Sequence, residues 1–183
     1  MTTERNEART EATVGLVVIN TGNGKGKTTA ALGVMLRASG QGLKTAMLQF
    51  IKTKTGNYGE NRAARTLGVE LTPLGDGFTW MSRDIDRTKA LNLEGWELAK
   101  GHLADPAYDV IILDELTYVI NYGWLDVADV IEVLKQRPKH MHVIITGRNA
   151  ADELVAYADL VTEMKEIKHP YKSGIKAQRG LEF

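Results

Sequence analysis

Short apolar runs alternate along the chain with longer segments in which apolar residues recur at helical spacing. The short runs are Gly15–Asn20, Leu43–Phe50, Val69–Pro73, Tyr108–Asp114, Met141–Thr146 and Leu160–Met164. Gly15–Asn20 is of the kind buried on both faces of a parallel sheet, and the other runs also suit strands. Thr28–Ser39 is rich in Ala and Leu and closes on Gly40 and Gly42, the ending expected of a helix. Glu60–Leu67 predicts a short helix. Ile85–Leu103 predicts a longer one, with Ala90, Leu93, Trp96 and Leu103 as its expected core-face positions. Val127, Val130, Ile131 and Leu134 place another over Asp126–Gln136, and Ala150–Tyr157 is the last. Lys52–Tyr58 and Leu74–Arg83 read as loops. Strand alternating with helix predicts an α/β fold in three layers, a mostly parallel sheet with helices on both faces.

At 183 residues the chain suits a single domain. Residues 1–13 are polar and mixed in charge and read as a flexible N-terminal arm, leaving 14–183 as the domain with a basic, glycine-containing tail from Lys165 to Phe183. The 23 basic and 23 acidic residues balance, so nothing suggests a general electrostatic grip on nucleic acid or an anionic membrane. There is no cysteine, which excludes a disulfide framework, an iron–sulfur cluster and a thiol nucleophile. With no apolar leader in the arm and no run near the roughly 20 residues that span a bilayer, a cytoplasmic protein is expected.

Thr21-Gly22-Asn23-Gly24-Lys25-Gly26-Lys27-Thr28 matches the P-loop pattern except at its first position, where Thr21 replaces glycine. An apolar strand enters and a helix leaves, which is the context the motif requires. Gly22, Gly24 and Gly26 let the backbone turn so that N–H groups converge on phosphate oxygens. The following helix adds the positive end of its dipole. Lys27 supplies a mobile point charge, and the Thr28 hydroxyl can ligate Mg²⁺. Lys25 could touch phosphate or face solvent. The sheet is thus expected to be of the P-loop NTPase type, with ATP at Thr21–Thr28.

Asp114 and Glu115 stand at the carboxyl end of the most apolar run, the edge where open parallel sheets bind ligands. An acid there can reach a metal held by Thr28, orient an attacking water, or cap the next helix; residue type alone does not say which acid does which. Phe78 and Trp80, in Asp76-Gly77-Phe78-Thr79-Trp80-Met81, share one side of an extended segment. They could stack on a flat apolar substrate or plug the core beneath the loop. Arg148 follows a strand at the ligand edge and could bind phosphate or cap the helix from Ala150. Arg37 reads as a surface charge. His102, His140, His142 and His169 show no paired metal spacing on one face, and His140 and His142, which flank a strand start, read as structural or exposed.

Taken together, these segments resemble the cytoplasmic ATP:corrinoid adenosyltransferases of cobalamin biosynthesis and salvage. The resemblance runs from Val18 to Phe183. It is carried by Thr-Gly-Asn-Gly-Lys-Gly-Lys-Thr-Thr at 21–29, Gln-Phe-Ile-Lys at 49–52, Gly-Phe-Thr-Trp at 77–80, Leu-Asp-Glu-Leu-Thr-Tyr at 113–118, Ile-Ile-Thr-Gly-Arg at 144–148 and Gly-Ile-Lys-Ala-Gln at 174–178. Thr21 belongs to that pattern. The resemblance implies that the 5′-deoxyadenosyl group of ATP passes to the cobalt(I) of a corrinoid, expelling triphosphate, with ATP held in the loop in a reversed sense. It implies that Lys27 steadies the leaving triphosphate and that Phe78 and Trp80 lie under the corrinoid and displace its lower ligand, easing reduction. Metal roles fall by position to Thr28 and Glu115, with Asp114 beside them. The family further implies a lid-like tail, a homodimer and a reduced flavoprotein as electron donor. A kinase or hydrolase acting at the terminal phosphate, and a nucleotide-regulated corrinoid-binding module, are the alternatives the residues alone leave open.

Overall fold

The computed structural model describes residues 14–53, 58–75 and 85–182. Among them the order is β1 (Val17–Thr21), α1 (Lys27–Gly40), β2 (Thr45–Thr53), α2 (Gly59–Leu67), β3 (Glu70–Gly75) and α3 (Ile85–Ala104). It continues with β4 (Val110–Asp114), α4 (Leu116–Asn121), α5 (Val127–Gln136), β5 (His142–Thr146), α6 (Asp152–Tyr157) and β6 (Leu160–Glu163). A short 3₁₀ turn follows at Pro170–Ser173. The strands form one sheet in the order β3-β2-β4-β5-β1-β6, and every neighbouring pair is parallel.

Side chains of a strand point alternately to its two faces, and here both faces are covered. Val17, Ile19, Ala46, Leu48, Phe50, Ile111, Leu113, Val143 and Ile145 pack with Trp96, Leu103, Leu116, Val130, Leu134 and Leu154 of α3–α6. The intervening Met47, Val110, Ile112 and Ile144 pack with Ala31, Met35 and Ala38 of α1 and Ala64 of α2. Burying each large aliphatic side chain contributes roughly 1.5–3 kcal/mol, which explains why the runs read as continuous rather than alternating. The expected three-layer α/β fold is therefore present.

Two local expectations need correction, and one short helix gains its bounds. The buried face of α3 is Thr88, Asn92, Gly95, Trp96, Ala99, His102 and Leu103; Ala90 is exposed and Leu93 only half-buried. Apolar spacing misled because several core-facing residues are polar and satisfied within the fold. Asn92 Nδ2 donates to Thr88 O at 2.8 Å while its Oδ1 accepts from Ile51 N at 3.1 Å. The second strand continues past Phe50 to Thr53, taking Lys52 out of the expected loop. Glu115 is followed at once by α4, six residues long, too short to show a helical repeat.

Because β4, β5 and β1 are neighbours, the segments leaving their carboxyl ends meet at one edge. These are Asp114–Glu115, Gly147–Arg148 and the glycine-rich loop. No described helix is long and apolar enough to cross a membrane.

Candidate active site

β1 delivers the chain into the loop at Thr21, whose Oγ1 accepts from Ala150 N at 3.2 Å. A threonine at this position thus ties the loop to the turn after β5, which glycine could not do. Gly22 and Gly26 have φ of +93° and +112°, values that L side chains rarely adopt. Gly26 caps α1 without any side-chain hydrogen bond, leaving the first-turn N–H groups for an anion.

The glycines also answer to packing. A Cβ at Gly22 would come within 2.6 Å of Met164 O, and one at Gly24 within 2.7 Å of the same atom. The loop lies flush against the chain leaving β6. Gly24 N donates to Met164 O at 2.6 Å and Met164 N to Thr21 O at 2.8 Å. One N–H expected to face phosphate is therefore spent on the fold.

Lys27 is buried, and its Nζ donates to Gly22 O at 2.8 Å and Gly24 O at 2.6 Å. An ammonium carries three donors, so one remains. Burial depresses its pKa, Arg148 and Lys25 add to the effect, and Glu115 opposes it. Lys25 takes the solvent-exposed of its two expected places, where its Nζ pairs with Glu182 Oε2 of the tail at 2.7 Å. Asn23 is exposed at the loop's tip.

Asp114 is wholly buried. Its Oδ1 accepts from Thr28 Oγ1 at 2.8 Å and Thr146 Oγ1 at 2.7 Å. Its Oδ2 accepts from Gln49 Nε2 at 3.1 Å and lies 3.3 Å from Lys52 Nζ. A carboxylate only accepts, so the Thr28 hydroxyl donates its proton here and keeps its lone pairs for a cation.

Glu115 differs in every respect. Its backbone is left-handed, φ +62°, and its N–H donates to Thr146 Oγ1 at 2.9 Å. Its Oε2 is buried without a hydrogen-bond partner. Burial and the neighbouring Asp114 push its carboxyl up to about 7. A buried carboxylate oxygen with no donor is costly unless a cation meets it. Glu115 and Thr28 thus fit a hard divalent ion of the Mg²⁺ kind, which keeps water and phosphate oxygens as its other ligands.

Arg148 does not cap the next helix, whose N-cap is Ala151 with no side-chain bond. Its guanidinium is exposed, yet close enough to favour the charge of Glu115 and disfavour that of Lys27. Its carbonyl is held by Thr117 Oγ1 at 2.8 Å and Asn121 Nδ2 at 3.0 Å, both from α4.

Comparison with known proteins agrees with this geometry. Residues 13–183 match the family described as ATP:corrinoid adenosyltransferase BtuR/CobO/CobP. A corrinoid adenosyltransferase of Sinorhizobium sp is 43% identical over 172 residues, covering 92% of this chain and 80% of that protein. Corrinoid adenosyltransferase CobA of Salmonella typhimurium is 41% identical over 169 residues, covering 92% and 86%. A relative in Pseudomonas aeruginosa, also a corrinoid adenosyltransferase, is 40% identical over 171 residues, covering 92% and 84%. The chain belongs to the ATP:corrinoid adenosyltransferase family.

It is accordingly a transferase, with ATP and a corrinoid as substrates. In this adenosyltransferase the expected loop residues and both acids converge on one edge. Phe78 and Trp80 lie outside the described residues. Sequence reasoning assigned no role to Gln49, Lys52 or Thr146, though all three surround Asp114. Gln49 and Lys52 stood in a quoted motif, but an odd spacing along a strand sends side chains to opposite faces and hid their meeting. Arg37 is exposed on α1, as expected. His142 Nδ1 accepts from Leu16 N at 3.1 Å and His140 Nε2 lies 3.2 Å from Tyr108 O, both structural contacts.

Proposed function

We propose that the loop binds the triphosphate of ATP with Mg²⁺ held by Thr28 and Glu115, so that the adenosyl C5′ faces the corrinoid. The observation that carries this reading is the pairing of opposites at one edge. Asp114 is saturated and fixes Thr28, while Glu115 has a buried oxygen without a partner.

When bound, the metal would neutralise charge on the departing triphosphate. The chain does the rest of the work electrostatically. Cobalt(I) attacks C5′, the C5′–O bond breaks, and its electrons leave on triphosphate. Lys27, the capless N-terminus of α1 and the loop N–H groups stabilise that charge. To do so Lys27 turns from the carbonyls of Gly22 and Gly24 to phosphate, which relieves the penalty burial places on its charge. No protein nucleophile is needed, since the corrinoid supplies it.

Within the same reading, Phe78 and Trp80 lie against the lower face of the corrinoid and exclude its axial ligand, making cobalt(I) less costly to reach. A reduced flavoprotein supplies the electron in the cytoplasm, and the enzyme works as a homodimer with its tail as a lid. The Lys25–Glu182 pair, which joins that tail to the loop, supports the last point.

The test mixes the protein with Mg·ATP and chemically generated cobalt(I) corrinoid in the dark. A photolabile alkylated product with an equal amount of triphosphate is expected; absence of any alkylated product would sink the reading. Phe78→Ala and Trp80→Ala should lose most activity when the enzyme must assist reduction from cobalt(II). Equal losses with pre-reduced corrinoid would reassign both residues to binding or folding.

A further inference from the structure

The second strand contains a defect of register beside this site. Pairing of β2 with β3 is regular from Ala46 to Gln49 and shifts before Thr53. Ile51, inside the shift, has φ +69°. A β-branched residue is rarely found in that conformation, and such strain persists only where the surroundings enforce it. Two neighbours do so. Asn92 Oδ1 accepts the N–H of Ile51 at 3.1 Å. Across the strand pair, Gly75 leaves room for the bulged backbone, since a Cβ there would sit 2.4 Å from Ile51 C.

The bulge has a definite outcome. In a regular strand, residues 49 and 52 project to opposite faces. Here four steps of β2, from Gln49 to Thr53, oppose two of β3, from Pro73 to Gly75, and across that irregularity Gln49 and Lys52 both reach the same atom. Gln49 Nε2 lies 3.1 Å and Lys52 Nζ 3.3 Å from Asp114 Oδ2. Lys52 is largely buried and also lies 3.2 Å from Glu60 Oε1 of α2.

We infer that Lys52 is a positioning residue for adenosyl transfer: delivered by the bulge at Ile51, its ammonium cancels the charge of Asp114 and fixes the carboxylate that orients Thr28. The inference rests on the reading of Thr28 and Glu115 as the Mg·ATP pair. Without Lys52, two adjacent carboxylates would face an incoming polyanion, in a setting where charge is poorly screened. With it, Asp114 is electrically silent and Glu115 alone presents negative charge to the metal. Burial works against the ammonium, yet Asp114 and Glu60 together hold its pKa above the ordinary value, as expected of a lysine kept charged for this purpose.

The experiment measures ATP binding by calorimetry, with and without Mg²⁺, for wild type, Lys52→Met, Lys52→Arg and the double variant Lys52→Met/Asp114→Asn. Lys52→Met should bind Mg·ATP roughly tenfold or more weakly, the scale of losing a charge-assisted contact. Lys52→Arg should recover most of that loss. The double variant, which removes the exposed negative charge as well, should bind Mg·ATP more tightly than Lys52→Met alone. If Lys52→Met folds poorly and the double variant folds well, that rescue also supports the pairing. Wild-type affinity in Lys52→Met would overturn the inference. So would a loss that Asp114→Asn leaves untouched, because Lys52 would then act on the nucleotide itself. A wild-type protein whose ATP affinity ignores Mg²⁺ would overturn the underlying metal reading, and this inference with it.

Discussion

The two ends of the sheet each hold a carboxylate among cations and hydroxyls, and they treat it in opposite ways. At the amino end, Glu70 Oε1 lies 3.0 Å from His102 Nε2 and its Oε2 accepts from Tyr108 Oη at 2.7 Å. Lys44 Nζ sits 4.0 Å over the Tyr108 ring. Although burial opposes its charge, these hydrogen bonds hold Glu70 below the usual carboxylate range, and burial together with Glu70 pushes Tyr108 up to about 12. A cavity of about 580 Å³ opens there, lined by Lys44, Glu70 and Tyr108, yet both oxygens of Glu70 are already engaged. At the carboxyl end, Glu115 Oε2 has no partner and its carboxyl is pushed up. A satisfied acid stabilises the fold; an unsatisfied one costs it stability, a cost that the proposed metal role of Glu115 would explain. The same residue types are therefore no guide to role until their partners are counted.

The largest effect expected from this contrast is at Lys27. Lys27→Ala should lower kcat roughly a hundredfold or more, the scale of removing one preorganised charge stabiliser, with pre-reduced corrinoid as well as in the assisted assay. A near-normal rate would remove Lys27 from the mechanism.

Glu115→Gln should split activity from stability. It should abolish the Mg²⁺-dependent gain in ATP affinity while making the metal-free protein more resistant to heat at mildly alkaline pH. The sign follows from the raised pKa. The folded state favours the protonated acid, so its contribution is complete below about 4.5 and lost as pH rises through about 7. Melting temperature against pH for both proteins measures this, and parallel curves would refute it.

Tyr108→Phe should behave in the reverse sense. Losing its bond to Glu70 should cost about 1–2 kcal/mol, and melting should fall by a few degrees with kcat unchanged. A lost rate without lost stability would place function at the amino end as well. The smallest effect should come from Glu182→Ala. Its partly exposed pair with Lys25 is worth under about 1 kcal/mol, so a small decrease in melting temperature should vanish in high salt. A salt-independent loss would mean that the tail is bound by more than this pair.

Much of this was legible beforehand, for identifiable reasons. Strands β1, β2, β4 and β5 could be read because their burial keeps them largely apolar, whereas β6, exposed along its length, shows only a short apolar run; the loop could be read because its glycines and Lys27-Thr28 have few other uses between strand and helix. What escaped reading depends on three-dimensional pairing. Asn92 and His102 carry no apolar signal along the chain, and their places in the core follow from partners at Ile51 and Glu70. The choice between Asp114 and Glu115 rested on resemblance, since adjacent acids look alike along the chain; geometry separates them by saturation. Lys52 read as loop because a bulge cannot be inferred from alternation it interrupts.

The seam between the glycine-rich loop and the chain at Met164 has a practical corollary for anyone wishing to retune this enzyme. Gly22 and Gly24 are denied side chains by their own protein before any nucleotide arrives. An alanine scan of the loop scored by product formation would report both as essential and credit the loss to phosphate contact. Screening the same variants first for soluble yield would sort them differently. Asn23, exposed at the tip, is the position open to redesign, whereas its two glycine neighbours belong to the architecture.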